Sequence, residues 1–233
     1  MDRKIQIAIL GLGHVGLPTA LGFAQMGWEV TGTDSDLAKL DLISEGIVPF
    51  YEPGITEMLK KYLKEGNFKI EKNQSKAIKD AECIFVCVGT PQNPDGSADL
   101  SQLETVANTI AENISEYKLI VEKSTTPVTT AASLKSSIQR CIDSKTKNHR
   151  ENSLNIEFDV AVNPEFLKEG TAINDFMNPD RVIVGVDNKK SENLLKQIYL
   201  PLFESRQIFE EKFMITDVNT AEIIKHASNA FLA

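Results

Sequence analysis

The sequence predicts an α/β protein built on a doubly wound parallel sheet. Three observations lead to this fold class. Short apolar runs with little alternation, typical of strands that are covered on both faces, recur at 5–10, 82–88, 118–122, 159–162 and 182–186. Longer segments between these runs carry apolar residues at helical spacing. The first run ends in a glycine-rich turn of the kind that opens a helix.

The turn after the first predicted strand has the spacing G-x-G-x-x-G, formed by Gly11, Gly13 and Gly16. In such a turn the first glycine permits the tight bend and the second lets a pyrophosphate approach the backbone. The third lets the next helix pack close to the strand. The free N–H groups at the start of that helix then face the phosphates. We therefore expect a Rossmann-like NAD(P)-binding fold.

The residues after the turn strengthen this expectation, since glycines at this spacing also occur in turns that bind no dinucleotide. An apolar helical face ends at Gly27, and a second strand runs from Val30 to Asp34. A carboxylate at that position accepts hydrogen bonds from the adenosine ribose and would repel a 2′-phosphate. The sequence thus favours NAD over NADP, although Lys39, which is basic and close in sequence, weakens the preference.

The rest of the chain continues the alternation of strands and helices. Residues 144–155 are polar and aperiodic, which predicts a solvated loop. Further strands are predicted over 30–34, 68–70 and 213–216, and helices over 37–43, 55–65, 76–80, 100–110, 129–142, 194–202 and from Asn219 to the last residue.

Composition limits the kind of protein. With 233 residues, 42% of them hydrophobic, the chain can bury the core of one large domain, or of one domain with a small appendage. A net charge of −8 argues against a nucleic-acid surface. No apolar run reaches the roughly 18 residues of a membrane-spanning helix, and the first residues lead into a strand rather than a signal-peptide core. We expect a cytoplasmic protein that binds neither nucleic acid nor membranes.

The three cysteines, Cys83, Cys87 and Cys141, suggest neither a disulfide framework nor a metal site, because their spacing fits no ligand pattern. Cys83 and Cys87 are four residues apart on one face of a predicted strand. We expect them to be small buried hydrophobic residues. No metal is expected.

Polar residues follow three of the predicted strands. Residues 89–91 close the strand over 82–88, residues 124–126 follow 118–122, and Glu165 and Glu169 follow 159–162. Because open parallel sheets bind ligands beyond the carboxyl ends of their strands, these residues are candidates for a site. The alternatives are helix capping by the hydroxyls and an exposed helical face for the carboxylates. At a ligand edge, the two carboxylates could supply an acid/base group and a ribose or nicotinamide contact.

Six sets of motifs are distinctive: GLGHVGLPTA, EPG, VGTP with DGSADL, EKSTTPV, NPEFLKEGTAINDF with NPDRVIVG, and AEIIKHASNAFLA. Together they resemble the UDP-glucose/GDP-mannose dehydrogenase family over essentially the whole length of the chain. NPEFLKEG is far more specific than the glycine turn. VGTP followed by DGSADL, with STTPV, is similar to the UDP-glucose 6-dehydrogenase branch more than to the UDP-N-acetylhexosamine branch.

The resemblance implies an enzyme that oxidises the C6 alcohol of a nucleotide sugar to a carboxylate in two hydride transfers, with NAD as acceptor and a cysteine that holds the intermediate covalently. It implies cofactor contacts in three places. The pyrophosphate would lie against Gly11, Gly13, His14, Val15 and Gly16, the adenosine ribose against Asp34 and Lys39, and the nicotinamide side against Val88, Gly89, Thr90, Pro91, Ser124, Thr125 and Glu169.

The same resemblance implies the catalytic and substrate-binding residues. Glu165 resembles the acid/base residue, and Thr125 resembles a residue that positions water. Lys225 and Asn229, four apart on one helical face, resemble the pair that stabilises developing negative charge at C6. The expected substrate contacts are Glu165, Phe166, Leu167, Lys168, Lys225 and Asn229.

The sequence departs from the family at its end. The family's nucleophile lies in a Gly-Gly-Ser-Cys-type motif beyond the long helix between the two domains, and this sequence stops inside that helix. We expect residues 1–215 to form the NAD-binding domain and 216–233 to begin a truncated inter-domain helix. The full-length enzyme is expected to be a homodimer acting on UDP-glucose, with this chain alone inactive.

Other functions stay open at this stage. The fragment could belong to a GDP-mannose or UDP-N-acetylhexosamine 6-dehydrogenase. A free-standing NAD-binding module with a sensing or partner-binding role would need no catalysis. A complete small dehydrogenase of the hydroxyacid type would leave NPEFLKEG unexplained.

Overall fold

The computed structural model describes residues 5–148 and 156–232. Within these residues eight strands form one sheet in the order β3-β2-β1-β4-β5-β6-β7-β8. The strands are β1 (Gln6–Leu10), β2 (Glu29–Thr33), β3 (Phe68–Ile70), β4 (Cys83–Val86), β5 (Lys118–Glu122), β6 (Phe158–Val162), β7 (Val182–Gly185) and β8 (Phe213–Thr216).

Strands β1 to β6 are parallel, which confirms the predicted doubly wound α/β fold. The last two strands, β7 and β8, depart from the parallel order. Strand β7 is antiparallel to β6 and pairs with it through Val162 and Gly185, and β8 is parallel to β7. Between β6 and β7 the chain makes one short helix, and antiparallel neighbours need no long crossover across the sheet.

Helices flank both faces of the sheet. Among the described residues none is long and apolar enough to cross a membrane. The helices are α1 (Gly16–Gln25), α2 (Leu37–Ser44), α3 (Ile55–Glu65), α4 (Gln74–Asp80), α5 (Ser101–Asn113), α6 (Thr130–Asn148), α7 (Ala172–Met177), α8 (Lys189–Tyr199), α9 (Arg206–Lys212) and α10 (Val218–Leu232).

Each face of the sheet has its own apolar core. On one face, buried residues of helices α1, α2, α3, α7, α8 and α9 belong to one core cluster. Within it, the ring of Phe23 on α1 lies 4.8 Å from that of Phe85, 5.3 Å from that of Phe176 and 5.4 Å from that of Tyr199. On the other face, α4, α5 and α6 bury residues such as Ile110 against the strands. Coverage on both faces explains why the strands read as continuous apolar runs.

Several boundaries differ from the sequence prediction. Helix α6 continues to Asn148, so the predicted loop over 144–155 is wrong at its start, and 149–155 lie outside the described residues. This part of α6 contacts α5, since Lys145 Nζ donates to the Ala111 main-chain oxygen at 3.4 Å. Helix α8 starts at Lys189, earlier than predicted, because Asn188 caps it. Helices α7 and α9 were not predicted.

A buried carboxyl lies at the end of β5. Glu122 is 1% exposed, and neither of its carboxyl oxygens has a hydrogen-bond partner among the described residues. Glu222 of α10 is buried nearby, and its carboxylate accepts from the N–H groups of Thr129 at 2.7 Å and Ala131 at 2.8 Å, at the start of α6. Burial raises the pKa of Glu122 to about 7. The neighbouring Thr126 hydroxyl acts against this shift in pKa, and the charge of Glu222 adds to it.

This burial makes the stability of the protein depend on pH through Glu122. The pKa in the folded state is about 7, above the ordinary value of 4.5, so the folded protein loses stability as pH rises from about 4.5 through 7. Glu122→Gln cannot ionise and should not show this loss. We expect the free energy of unfolding of Glu122→Gln, relative to wild type, to increase by up to about 3 kcal/mol between pH 4.5 and pH 8.

Urea unfolding at several pH values measures this difference. The control is Glu57→Gln, which replaces an exposed carboxylate on α3 and should leave the pH dependence unchanged. A Glu122→Gln curve that runs parallel to wild type over the whole range would show that Glu122 is ionised at no cost to the fold.

Candidate functional site

The glycine turn lies where the strand order reverses, because β1 pairs with β2 on one side and with β4 on the other. Gly11 has a φ of +94°, and a Cβ added there would lie 2.6 Å from the Cys87 oxygen. A Cβ on Gly16 would lie 1.8 Å from the Gly11 oxygen. The turn and helix α1 therefore reach this close to the strand ends only with glycine at both positions.

The second glycine of the turn faces open space. Apart from Gly13 itself and its two neighbours in the chain, no described atom lies within 4 Å of the position that a Cβ of Gly13 would take. Within residues 5–148 and 156–232 the structure shows no protein acceptor for the N–H groups of Gly13, His14 and Val15. With the positive end of α1, these groups can bind a diphosphate, so the turn fits the pyrophosphate of a dinucleotide. His14 is exposed, and its ring lies 4.2 Å from that of Phe50.

Asp34, at the end of β2, is held by three donors. It is 7% exposed and accepts hydrogen bonds from the Leu12 N–H at 2.8 Å, the Asp36 N–H at 3.0 Å and Lys39 Nζ at 2.9 Å. Burial opposes ionisation, but the hydrogen bonds from Asp36, Leu12 and Lys39 outweigh it and lower the pKa of Asp34. The structure thus brings Asp34 and Lys39 together at the edge where the ribose is expected.

The loops after β4 and β5 are joined by two hydrogen bonds. The Thr90 hydroxyl donates to the Thr125 main-chain oxygen at 2.7 Å, and the Ser124 hydroxyl donates to the Val88 oxygen at 2.7 Å. These contacts place the two predicted nicotinamide loops side by side at the carboxyl edge of the sheet. The remaining members of the first loop, Gly89 and Pro91, are exposed.

Glu165 and Lys225 form a partly buried ion pair, although 60 residues separate them. Lys225 Nζ donates to the Glu165 carboxylate at 2.7 Å and to its main-chain oxygen at 2.5 Å. Both side chains are 10% exposed. The other carboxylate oxygen of Glu165 accepts from the Leu167 N–H at 2.7 Å. Glu169, in contrast, is exposed, and no hydrogen bond of its side chain is seen among the described residues.

A cleft of about 440 Å³ opens beside this ion pair. Its size is within the range of ligand sites. The cleft contains a carboxylate, cationic groups and an aromatic surface. One of the cationic groups, the Arg181 guanidinium, lies 5.2 Å from the centre of the Phe166 ring. All six predicted substrate residues line it: Glu165, Phe166, Leu167, Lys168, Lys225 and Asn229.

The cleft is also lined by residues that sequence analysis did not single out, among them Lys123, Asn163 and Tyr199. Lys123 is 5% exposed and donates to Asn163 Oδ1 at 3.0 Å, and the Tyr199 hydroxyl donates to the same oxygen at 2.5 Å. Burial lowers the pKa of Lys123 to about 8. Lys123 and Asn163 each directly follow a strand, so the rule that selected Thr90 and Thr125 would also have found them.

The cysteines lie outside this cleft. Cys83 and Cys87 are buried, which confirms the expectation that they act as small hydrophobic residues. Burial raises the pKa of Cys87 to about 12, and it also raises the pKa of Cys83. Cys141 is on α6 and contacts Asn108. In the described part of the chain no group of three or more His, Cys, Asp or Glu side chains is arranged to hold a metal ion.

Comparison with known proteins agrees with this geometry. The profile of the UDP-glucose/GDP-mannose dehydrogenase family, NAD binding domain, matches residues 5–203. A UDP-glucose 6-dehydrogenase of Rickettsia felis is 38% identical over 229 residues, which are 98% of this chain and 47% of the relative.

Two solved structures have the same fold over nearly the whole chain. A UDP-glucose dehydrogenase from the hyperthermophilic archaeon Pyrobaculum islandicum has a TM-score of 0.87 and 32% identity, and the match covers 99% of this chain and 50% of that one. A GDP-mannose dehydrogenase from Pseudomonas aeruginosa has a TM-score of 0.85 and 32% identity, over 97% and 49% of the two chains.

The chain spans about half the length of the relatives it matches. The family profile covers most of the chain, and it describes a domain that binds NAD. These matches confirm the predicted cofactor and the predicted family. The chain therefore belongs to the UDP-glucose/GDP-mannose dehydrogenase family, whose NAD-binding domain it contains.

Proposed function

We propose that this chain is the NAD-binding portion of an enzyme that oxidises the C6 alcohol of UDP-glucose to UDP-glucuronate in two NAD-dependent steps. The observation that carries the proposal is the Glu165–Lys225 pair, 10% exposed on both sides, in a cleft beside the carboxyl edge of the sheet. A carboxylate and an ammonium held 2.7 Å apart can move a proton and stabilise negative charge at one oxygen atom.

The residues divide this chemistry between them. Glu165 accepts the proton of the C6 hydroxyl, directly or through a water that Thr125 positions. Lys225 and Asn229 stabilise the negative charge that develops on that oxygen. NAD, when bound, accepts the hydride. Phe166, Leu167 and Lys168 hold the nucleotide sugar in the cleft, so that C6 stays within reach of Glu165.

The cofactor is assigned to the turn and the three loops at the sheet edge. Gly11, Gly13, His14, Val15 and Gly16 bind the pyrophosphate, and Asp34 with Lys39 binds the adenosine ribose. The open space at Gly13 and the free N–H groups beside it support this assignment. The nicotinamide side is formed by Val88, Gly89, Thr90, Pro91, Ser124, Thr125 and Glu169.

The choice of UDP-glucose is supported by relatives such as the Rickettsia felis UDP-glucose 6-dehydrogenase. Its competitors are GDP-mannose and a UDP-N-acetylhexosamine, since the GDP-mannose dehydrogenase is as similar in sequence, at 32%, as the UDP-glucose dehydrogenase of known structure. We also propose that the full-length enzyme is a homodimer. Exposed apolar side chains on α10, Ile223 at 55% and Phe231 at 89%, support a partner on that helix.

The glycine turn gives a matched pair of variants that separates binding from folding. Gly13→Val should abolish NAD binding because its side chain would fill the space of the pyrophosphate, yet stability should change by no more than about 0.5 kcal/mol, since nothing touches that position. Gly16→Ala should instead destabilise the fold by about 1–3 kcal/mol or more through its clash with Gly11. Calorimetric titration and urea unfolding of both proteins measure these effects. Normal NAD affinity in Gly13→Val would contradict the assignment.

Asp34 generates a prediction on cofactor choice. NADH should bind clearly more tightly than NADPH, because the 2′-phosphate would meet a carboxylate whose pKa is lowered and which is therefore charged at neutral pH. Lys39→Ala should widen the difference, since it removes the cation that lies 2.9 Å from Asp34. Fluorescence titration of the two reduced cofactors measures both affinities. Equal affinities in the wild type would contradict the proposal that Asp34 selects NADH over NADPH.

We expect the 233-residue chain to bind NAD without oxidising UDP-glucose. None of the cysteines in the described residues is a suitable nucleophile, because Cys83 and Cys87 are buried with raised pKa values and Cys141 lies on α6. Loss of a covalent nucleophile usually costs many orders of magnitude in rate. The measurement is NADH absorbance with UDP-glucose, GDP-mannose and a UDP-N-acetylhexosamine, with the Rickettsia felis relative as positive control. Turnover near that of the control would require a nucleophile elsewhere in this chain.

A further inference from the structure

A short segment between α2 and α3 contacts both the glycine turn and the loop that follows β6. The ring of Phe50 lies 4.2 Å from that of His14 in the glycine turn, with 33° between the ring planes. Two residues later, the Glu52 carboxylate accepts a hydrogen bond from the Gly170 N–H at 2.8 Å, across 118 residues of sequence. Gly170 directly follows Glu169. The segment 50–52 is therefore a physical link between the pyrophosphate turn and the loop that carries Glu165 and Glu169.

Glu52 is buried, so its carboxylate depends on the hydrogen bond from the Gly170 N–H. Its residue is 7% exposed, and no basic side chain in the described ranges forms an ion pair with it. A buried carboxylate is costly unless hydrogen bonds satisfy it, and a backbone N–H is a strong donor to a charged acceptor. Gly170 has a φ of +85°, a backbone conformation that glycine adopts easily but does not hold by itself. The bond to Glu52 fixes it.

The rest of the loop shows what Glu52 controls. Glu165 is held by Lys225, and the Lys168 N–H donates to Asp175 at 2.9 Å. Glu169 has no such contact and is exposed, so its position depends on its neighbours in the chain. The neighbour on its C-terminal side, Gly170, is the one that Glu52 holds.

We propose that Glu52 is a positioning residue that couples cofactor binding to the loop over 165–170. Its carboxylate sets the backbone at Gly170 and so aims Glu169 at the nicotinamide side, while Phe50 transmits the state of the pyrophosphate turn through His14. The inference rests on the proposed function of Glu169. NAD bound at the glycine turn orders the loop that meets the nucleotide sugar, and the link between them is the segment 50–52.

Amide hydrogen exchange of the 233-residue chain, followed by NMR with and without NAD, tests this link. In the wild type the Gly170 amide should exchange slowly, and NAD should slow exchange over 165–170 further. Glu52→Ala should raise the Gly170 rate at least about tenfold, since a hydrogen bond to a charged group contributes that much to a local opening equilibrium. It should also abolish the NAD-dependent slowing. Glu52→Gln, which keeps an acceptor oxygen, should restore both.

Two further variants separate coupling from simple loss of stability. Phe50→Leu retains an apolar side chain and leaves Glu52 intact, so Gly170 should stay protected at rest while the response to NAD is lost. Glu57→Ala, which removes an exposed carboxylate on the adjacent helix, should behave as wild type. Calorimetry on the same samples gives the NAD affinity, expected to change less than about threefold in Glu52→Ala.

The outcomes are distinct. A NAD-dependent slowing that survives in Glu52→Ala or in Phe50→Leu overturns the coupling while leaving the proposed cofactor site intact. Should Glu52→Ala fail to fold, the Phe50→Leu result decides. A wild-type chain that binds no NAD overturns the proposed function and the coupling together.

Discussion

The close approach of the glycine turn to the strand ends is the constraint on which the rest of the site depends. A Cβ on Gly16 would lie 1.8 Å from the Gly11 oxygen, and one on Gly11 would lie 2.6 Å from the Cys87 oxygen. Because helix α1 starts this close to the strand ends, its unpaired N–H groups face the crevice between β1 and β4. The loops after β4, β5 and β6 begin at the same edge of the sheet. The distance between strands therefore sets how far each loop lies from the glycine turn.

Much of this arrangement could be predicted because its signals are local. The strands read as apolar runs because both faces of the sheet are covered, and Asp34 directly follows the second of these strands. The neighbours Thr90 and Thr125 could be placed together since parallel strands end at one edge. Lys225 was placed near Glu165 only by resemblance, because 60 residues separate them.

The rest depends on tertiary contacts that leave little trace in the sequence. Helices α7 and α9 have six and seven residues, too few to show a clear apolar period. Helix α6 continues past Ile142 into a polar segment, where Lys145 contacts the Ala111 main-chain oxygen of α5, and the polar sequence does not reveal this contact. Glu52 lies in a turn of common composition, and its burial becomes apparent only when the loop containing Gly170 folds over it.

The reversal of β7 and β8 has a consequence for where α10, the helix that carries Lys225, can lie. Gly185 and Thr216, the last residues of these strands, are paired with each other, and Gly185 is level with Val162 at the carboxyl end of β6. The chain thus enters α10 already at the ligand edge, and Lys225 reaches Glu165 only seven residues, or about 10 Å of helical rise, after Val218. Had β8 run in the same direction as β6, the helix after it would have led away from the cleft. Two strands that depart from the parallel order are therefore what delivers an ammonium group to a site otherwise built from loops.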